Sequence, residues 1–210
     1  MEIRRYVSGL LQSNMYLIRE GDHAIVIDPF EDTSPADGLQ TDCILLTHEH
    51  YDHISGVNAW KAVTGAPVLC SSVCAENIQS PRKNLAGLFQ VFCELQTWIR
   101  LDEIPLTDPK YACAADETFD DERTLSWRGH ELRLFALPGH SQGSIGILLD
   151  GEHFFSGDSL MEHYEIELRI LGGSRKQWEE TGAPRLARLP DGLTVHPGHF
   201  EEFIYVRGEN

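Results

Sequence analysis

Positive charge is scarce in this chain. Seventeen Lys and Arg stand against 33 Asp and Glu in 210 residues, a formal net charge of −16. A field of that sign repels phosphate backbones and anionic bilayers, so neither nucleic acid nor a membrane is an expected partner. Long apolar runs are missing too. Stretches such as Ala24 to Ile27 and Ile44 to Leu46 are strand-sized, far short of the roughly 18 residues a membrane span needs. Met1-Glu2-Ile3-Arg4-Arg5 is not followed by an apolar h-region, so we expect no secretory signal and a cytoplasmic protein. Cysteines are few and odd in number: Cys43, Cys70, Cys74, Cys93 and Cys113. Without an export signal they argue against a disulfide framework. Cys70 and Cys74 share C-x3-C spacing; we read them as buried thiols, at a strand end and on the next helix, rather than as a zinc pair. Internal repeats, low-complexity tracts and Gly/Ser linkers are absent, which leaves one domain over residues 1–210.

What is there alternates between strand and helix signals. Strands are expected at Glu2 to Val7, Asn14 to Arg19, Ala24 to Asp28, Asp42 to Thr47 and Pro67 to Cys70. Helices follow at Ile54 to Thr64, with Gly65 as its cap, and at Ser71 to Ile78. Leu85, Leu88, Phe92, Leu95 and Ile99 fall at 3, 4, 3 and 4 spacing, an amphipathic helix. A loop from Asp102 to Cys113 and an acidic turn, Asp116 to Glu122, come next. A second strand group follows at Thr124 to Trp127, Glu131 to Leu137, Ser144 to Leu149 and His153 to Ser156. It closes with a helix from Lys176 to Leu189 and a strand from Leu193 to His196. Two strand groups, each closing with helices, predict an α/β sandwich of two sheets with helices outside.

Thr47-His48-Glu49-His50-Tyr51-Asp52-His53 places four potential metal ligands within six residues, directly after a strand. Such a pattern arises by chance in about one chain in a thousand of this composition. The i, i+2 His pair is spaced to chelate one metal, and Asp52 and His53 reach toward a second. Three later strand ends add His140 in Pro-Gly-His-Ser, Asp158 in Ser-Gly-Asp-Ser and His199 in His-Pro-Gly-His. Strand ends are where α/β sites form, and the Gly beside each ligand lets the backbone turn tightly. His196 flanks the same Pro-Gly as His199 and competes with it. His23, His130 and His153 sit in turn-like contexts and read as surface residues; His163 is either surface or pocket-lining. Asp28, before Pro29, either orients the ligand loop or simply forms a turn.

These motifs, together with Ser-Asn-Met-Tyr-Leu-Ile (13–18) and Val-Ile-Asp-Pro (26–29), resemble the metallo-β-lactamase fold superfamily over nearly the whole chain. The resemblance implies an αβ/βα sandwich of two mixed β-sheets with helices on the outer faces and the site along one edge. It implies that His48, His50 and His140 hold one metal, that Asp52, His53 and His199 hold a second, and that Asp158 bridges them. The nitrogen and carboxylate donors suit two divalent ions, zinc first, with iron or manganese also accommodated. Such a pair acidifies a bridging water toward neutral pH, giving a hydroxide that attacks a carbonyl or phosphorus. Asp158 and Asp52 are the candidate catalytic carboxylates.

Among superfamily members the chain is most similar to compact glyoxalase II-like hydrolases, acting on a small-molecule ester, thioester or related substrate. It departs from them after Asp158, where Met161 to Arg169 replace a Gly-Arg-x-Asp stretch. Only 11 residues follow His199 (210 − 199), so we expect no C-terminal glutathione-binding domain. Two alternatives are a mononuclear iron oxygenase of persulfide-dioxygenase type and a catalytically idle metal-binding module; the filled ligand set argues against both. The segment around 80–123 reads as an insertion. Its Phe89, Phe92, Trp98 and Tyr111 either cover the metals or pack into the core. Oligomeric state is not legible in the sequence.

Overall fold

Along β2 (Asn14–Glu20) successive side chains point to opposite faces, and both faces are buried: Met15 and Leu17 on one, Tyr16 and Ile18 on the other. A strand covered on both sides needs a partner layer on each. The computed structural model, which describes residues 1–94 and 107–208, supplies them. β1 (Glu2–Val7), β2 and β3 (His23–Ile27) run as an antiparallel meander. β4 (Gln40–Leu45), β5 (Val68–Ser71) and β6 (Glu117–Phe119) extend the sheet in parallel, in the order β1 to β6.

The second sheet contains β7 (Glu122–Trp127), β8 (His130–Ala136), β9 (Ile145–Leu149), β10 (His153–Gly157), β11 (Thr194–Pro197) and β12 (Phe203–Ile204). These strands also lie in chain order, and β10 with β11 is the parallel pair. Tyr16, Ile18, Ile25 and Ile27 of the first sheet meet Leu132, Leu134, Ile145 and Ile147 of the second in the inner core.

The outer face of the first sheet packs on α1 (Tyr51–Ile54), α2 (Val57–Thr64), α3 (Ser72–Asn77) and α4 (Phe89–Glu94), through residues such as Ile54, Trp60, Cys74 and Phe89. The outer face of the second meets the run formed by α5 (Arg175–Gln177), a π turn (Trp178–Gly182) and α6 (Ala183–Leu186), through Leu186 and Leu189. The architecture is the αβ/βα sandwich of two mixed sheets. Among the described residues no helix is long and apolar enough to cross a membrane.

Four details differ from the sequence reading. The helix expected over 54–64 is two, α1 and α2, because Gly56 N donates to the Pro29 carbonyl at 2.8 Å instead of back into α1, at a point where the Phe30 backbone leaves no room for a Cβ. The helix expected over 176–189 is interrupted before Pro184, which has no N–H to continue the ladder. The acidic turn contains β6, an edge strand whose one buried residue, Phe119, is hidden among carboxylates. β12, two residues long, carries too little pattern to be read. The Leu85–Ile99 helix begins with a 3-10 turn (Ala86–Leu88) and α4; Leu95, Trp98 and Ile99 lie outside the described residues. Cys70 and Cys74 are free buried thiols.

Ile147 is wholly buried between the sheets. Ile147→Ala is expected to cost about 2–5 kcal/mol of unfolding free energy, read by urea denaturation, because the inner core cannot collapse around the lost methyl groups.

Candidate metal centre

Four strand ends converge on one edge of the sandwich. β4 delivers the His48–His53 turn and α1, β8 delivers His140, β10 delivers Asp158, and β11 delivers His199. The two sheets are tied together there by the Ser-Asn-Met-Tyr segment. Asn14 N donates to the Gly198 carbonyl at 2.7 Å, and Asn14 Nδ2 and Tyr16 Oη donate to the Pro197 carbonyl at 2.9 and 2.8 Å. Ser13 Oγ donates to the Asp52 carbonyl at 2.8 Å. Next to this clamp the chain is too tight for a side chain: a Cβ on Gly198 would overlap the Asp158 carboxylate.

The seven expected ligand residues are brought together in two groups. The donor atoms of His48, His50 and His140 lie within 4.8 Å of one another, as do those of Asp52, His53 and His199. Asp158 touches both: Oδ2 is 3.4 Å from His140 Nε2 and 3.4 Å from His199 Nε2, and Oδ1 is 3.4 Å from His53 Nε2. His196 is not part of either group. It stacks on Phe155 and hydrogen-bonds Glu202 and His153.

Hydrogen bonds on the far side of four of the five imidazoles fix which nitrogen faces inward; the fifth, His50, turns Nδ1 toward His140 Nε2 at 3.0 Å. His140 Nδ1–H donates to the Glu167 carbonyl and His199 Nδ1–H to the Leu11 carbonyl, each at 3.1 Å. Asp28 accepts from Thr47 N at 2.7 Å, from Thr47 Oγ1 at 2.5 Å and from His53 Nδ1 at 3.2 Å. The single hydroxyl proton of Thr47 is thereby committed to Asp28, so Thr47 Oγ1 accepts from His48 Nδ1 at 3.0 Å. In all four rings Nδ1 is thereby turned outward and Nε2 faces the cluster, the orientation that a metal ligand requires. Of the two readings of Asp28, the orienting one fits this arrangement; its backbone also takes a positive φ of 52°.

The donor set fits a cation. His48 Nε2 and Asp158 Oδ1 are buried and hydrogen-bond to nothing, and orphaned buried polar atoms are costly unless something binds them. Burial drives His48 well below the ordinary histidine range and takes His50 and His140 down to about 4, so that group presents neutral donors. Burial also opposes charge on His53 and His199, yet Asp52 and Asp158 outweigh it. His53 rises to about 9 and His199 well above its ordinary value. Asp158, buried among these rings, is held well below the usual carboxylate range by His199 and His53. The carboxylates therefore attract positive charge into the site.

Glu49, between two of the ligand histidines, is itself buried. It accepts from Asn77 Nδ2 at 2.8 Å and from Ser141 Oγ, beside His140, at 2.7 Å, tying the two histidine loops to each other. The remaining histidines lie elsewhere. His23, His130 and His153 are half-buried at strand starts rather than on the open surface; His23 and His130 pair with Asp42 and Asp150. His163 is exposed and lines a separate cavity.

A cavity of about 530 Å³ opens above the cluster, with His50, Asp52, His140, Asp158 and His199 in its lining. Phe89 and Phe92 of α4 line it as well. Tyr111 is instead in the core, its hydroxyl donating to the Ile54 carbonyl at 2.6 Å, and Trp98 lies outside the described residues.

The chain is similar in sequence and in fold to known proteins. The chain is 27% identical over 206 residues to a hydroxyacylglutathione hydrolase of Aeromonas salmonicida (strain A449), an alignment covering 92% of this chain but 63% of that relative, less than two thirds of its length. It is 25% identical over 209 residues to the probable metallo-hydrolase YqgX of Bacillus subtilis (strain 168), covering 96% of this chain and 92% of YqgX. Among solved structures, the BLEG-1 B3 metallo-beta-lactamase shares the fold with a TM-score of 0.78 at 24% identity, over 97% of this chain and 94% of that one. The family model of the metallo-beta-lactamase superfamily matches residues 8–199, from the clamp segment to the last ligand, and the chain belongs to that superfamily.

Proposed function

We propose that this chain is a binuclear metal-dependent hydrolase of a small ester, thioester or related substrate. His48, His50 and His140 hold one ion, Asp52, His53 and His199 the other, and Asp158 is shared. The observation that carries the reading is the reach of Asp158, whose two oxygens lie 3.4 Å from histidines of both groups. The resemblance to a hydroxyacylglutathione hydrolase and a probable metallo-hydrolase supports the reaction class.

Divalent ions held there supply Lewis acidity and bring the pKa of water toward 7; zinc suits the donors, as do iron and manganese. The chain's own groups do the rest. Asp28, Glu167 O and Leu11 O hold the imidazoles in their binding orientations. Asp158 and Asp52 orient the attacking water and take its proton as its oxygen adds to the acyl carbon. The acyl C–O or C–S bond then breaks, and the proton passes to the departing oxygen or sulfur, releasing an acid and an alcohol or thiol.

Protein purified without added metal is expected to carry close to two divalent ions per chain by elemental analysis. One iron per chain would favour an oxygenase, and an absence of metal would favour an idle module.

Asp52 sits at the rim, on the first turn after β4, rather than in the apolar core. Asp52→Ala is therefore expected to lose about one metal equivalent and on the order of 100-fold in kcat/KM, with an unchanged far-UV spectrum and cooperative unfolding. Retention of full metal content and hydrolysis would sink the assignment.

Asp28→Asn keeps the shape and tolerates the positive φ, but it presents a neutral amide to His53. We expect metal affinity to fall about 10–100-fold, read by competition with a chromophoric chelator, while the metal-free protein remains folded.

A further inference from the structure

Away from its ligands, the cavity is walled by apolar side chains from four separate segments. Phe89 and Phe92 come from α4, Tyr164 and Ile170 from the loop after β10, and Leu11 and Phe200 from the loops that flank the clamp. Three of these rings are open to solvent: Phe92 is 36% exposed, Tyr164 56% and Phe200 47%. Tyr164 and Phe200 stack with centroids 4.2 Å apart and planes 5° from parallel. Phe200 directly follows the ligand His199, and its carbonyl is held by Asn14 Nδ2 at 2.9 Å and Arg5 Nη1 at 2.5 Å. Its backbone is thus pinned beside the ligand cluster. Exposed apolar rings gathered around one concavity mark a binding surface, because scattering or burying them would cost less.

Charge around the cavity is equally selective. Apart from the ligand side chains, the charged residue lining it among the described residues is Glu167, and neither Lys nor Arg does. A second carboxylate on a substrate would leave water for an apolar wall and meet an acidic neighbour instead of a cation. The net charge of −16 disfavours it further at long range.

Resting on the hydrolase reading above, we propose that the site takes neutral acyl esters or thioesters whose non-reacting part is an apolar chain or ring, and rejects acyl groups that end in a carboxylate. The reacting carbonyl sits over the ligand cluster, and the acyl chain lies between α4 and the Tyr164–Phe200 pair.

The test uses metal-replete protein and 4-nitrophenyl esters of acetate, butyrate and hexanoate, with the monoester of adipate as a hexanoate whose terminal methyl is replaced by a carboxylate. Each methylene is expected to raise kcat/KM about fourfold up to hexanoyl, from the free energy of burying it. The adipate monoester is expected to fall at least about tenfold below hexanoate. Phe92→Lys, which puts a cation on the wall, is expected to narrow that gap about tenfold. A flat chain-length series, or adipate equal to hexanoate, overturns the proposal while leaving hydrolysis intact. Calorimetric binding of the free acids gives a readout without turnover. If protein carrying two metals hydrolyses none of the esters, the hydrolase reading fails; hexanoate binding tighter than adipate then still sustains the apolar site, and equal binding overturns it.

Discussion

Everything at this site depends on one buried charge balance. Two carboxylates, Asp52 and Asp158, are packed among five imidazoles at positions that solvent barely reaches. Removing a carboxylate from water is expensive unless opposite charge replaces the lost hydration. Protonated His53 and His199 partly provide that charge, yet one Asp158 oxygen and the inward nitrogen of His48 still find no hydrogen-bond partner. The balance closes once cations occupy the two donor groups. A cluster of this kind is costly as structure alone, which is the physical reason for reading it as a binding site.

The sandwich exists in the form needed to hold that cluster. Continuous apolar faces on both sides of the first sheet stack helices outside and a second sheet inside, and this stacking brings the ends of β4, β8, β10 and β11 to one edge. Asn14 and Tyr16 then staple the end of β11 to the first sheet. Asp28 joins the backbone and hydroxyl of Thr47 to His53. Glu49 joins the turn after β4 to the turn after β8 through Ser141. Asp28 thereby orients the His53 ring directly, while Asn14, Tyr16 and Glu49 hold the backbone turns that carry the other ligands.

Much of this was legible in the sequence, because its signals are local. His48 to His53 declare themselves within six residues, and the strand ends at His140, Asp158 and His199 each carry a glycine. The strands that bury residues on both faces are apolar runs that any reading finds. What escaped depends on distant partners. Glu49 reads as an ordinary surface acid until Asn77 and Ser141 are seen to donate to it. β6 looks like a solvated acidic turn because only Phe119 of its three residues is buried, and its strand character comes from pairing with β5. Asp28 was ambiguous because a turn residue and an orienting residue share the same sequence context. The cavity is half legible: Phe92 belongs to the helical spacing and Phe89 to the same helix, whereas Tyr164 and Phe200 meet only through the fold.

The central claim is that Asp158 joins two metal ions. The most direct measurement is a crystal structure of the metal-replete protein with anomalous scattering recorded at the metal edge. Two peaks about 3.5–4 Å apart, one among His48, His50 and His140 and the other among Asp52, His53 and His199, each in contact with an Asp158 oxygen, are what the account predicts. A single peak, or an Asp158 carboxylate turned away from both groups, would contradict it.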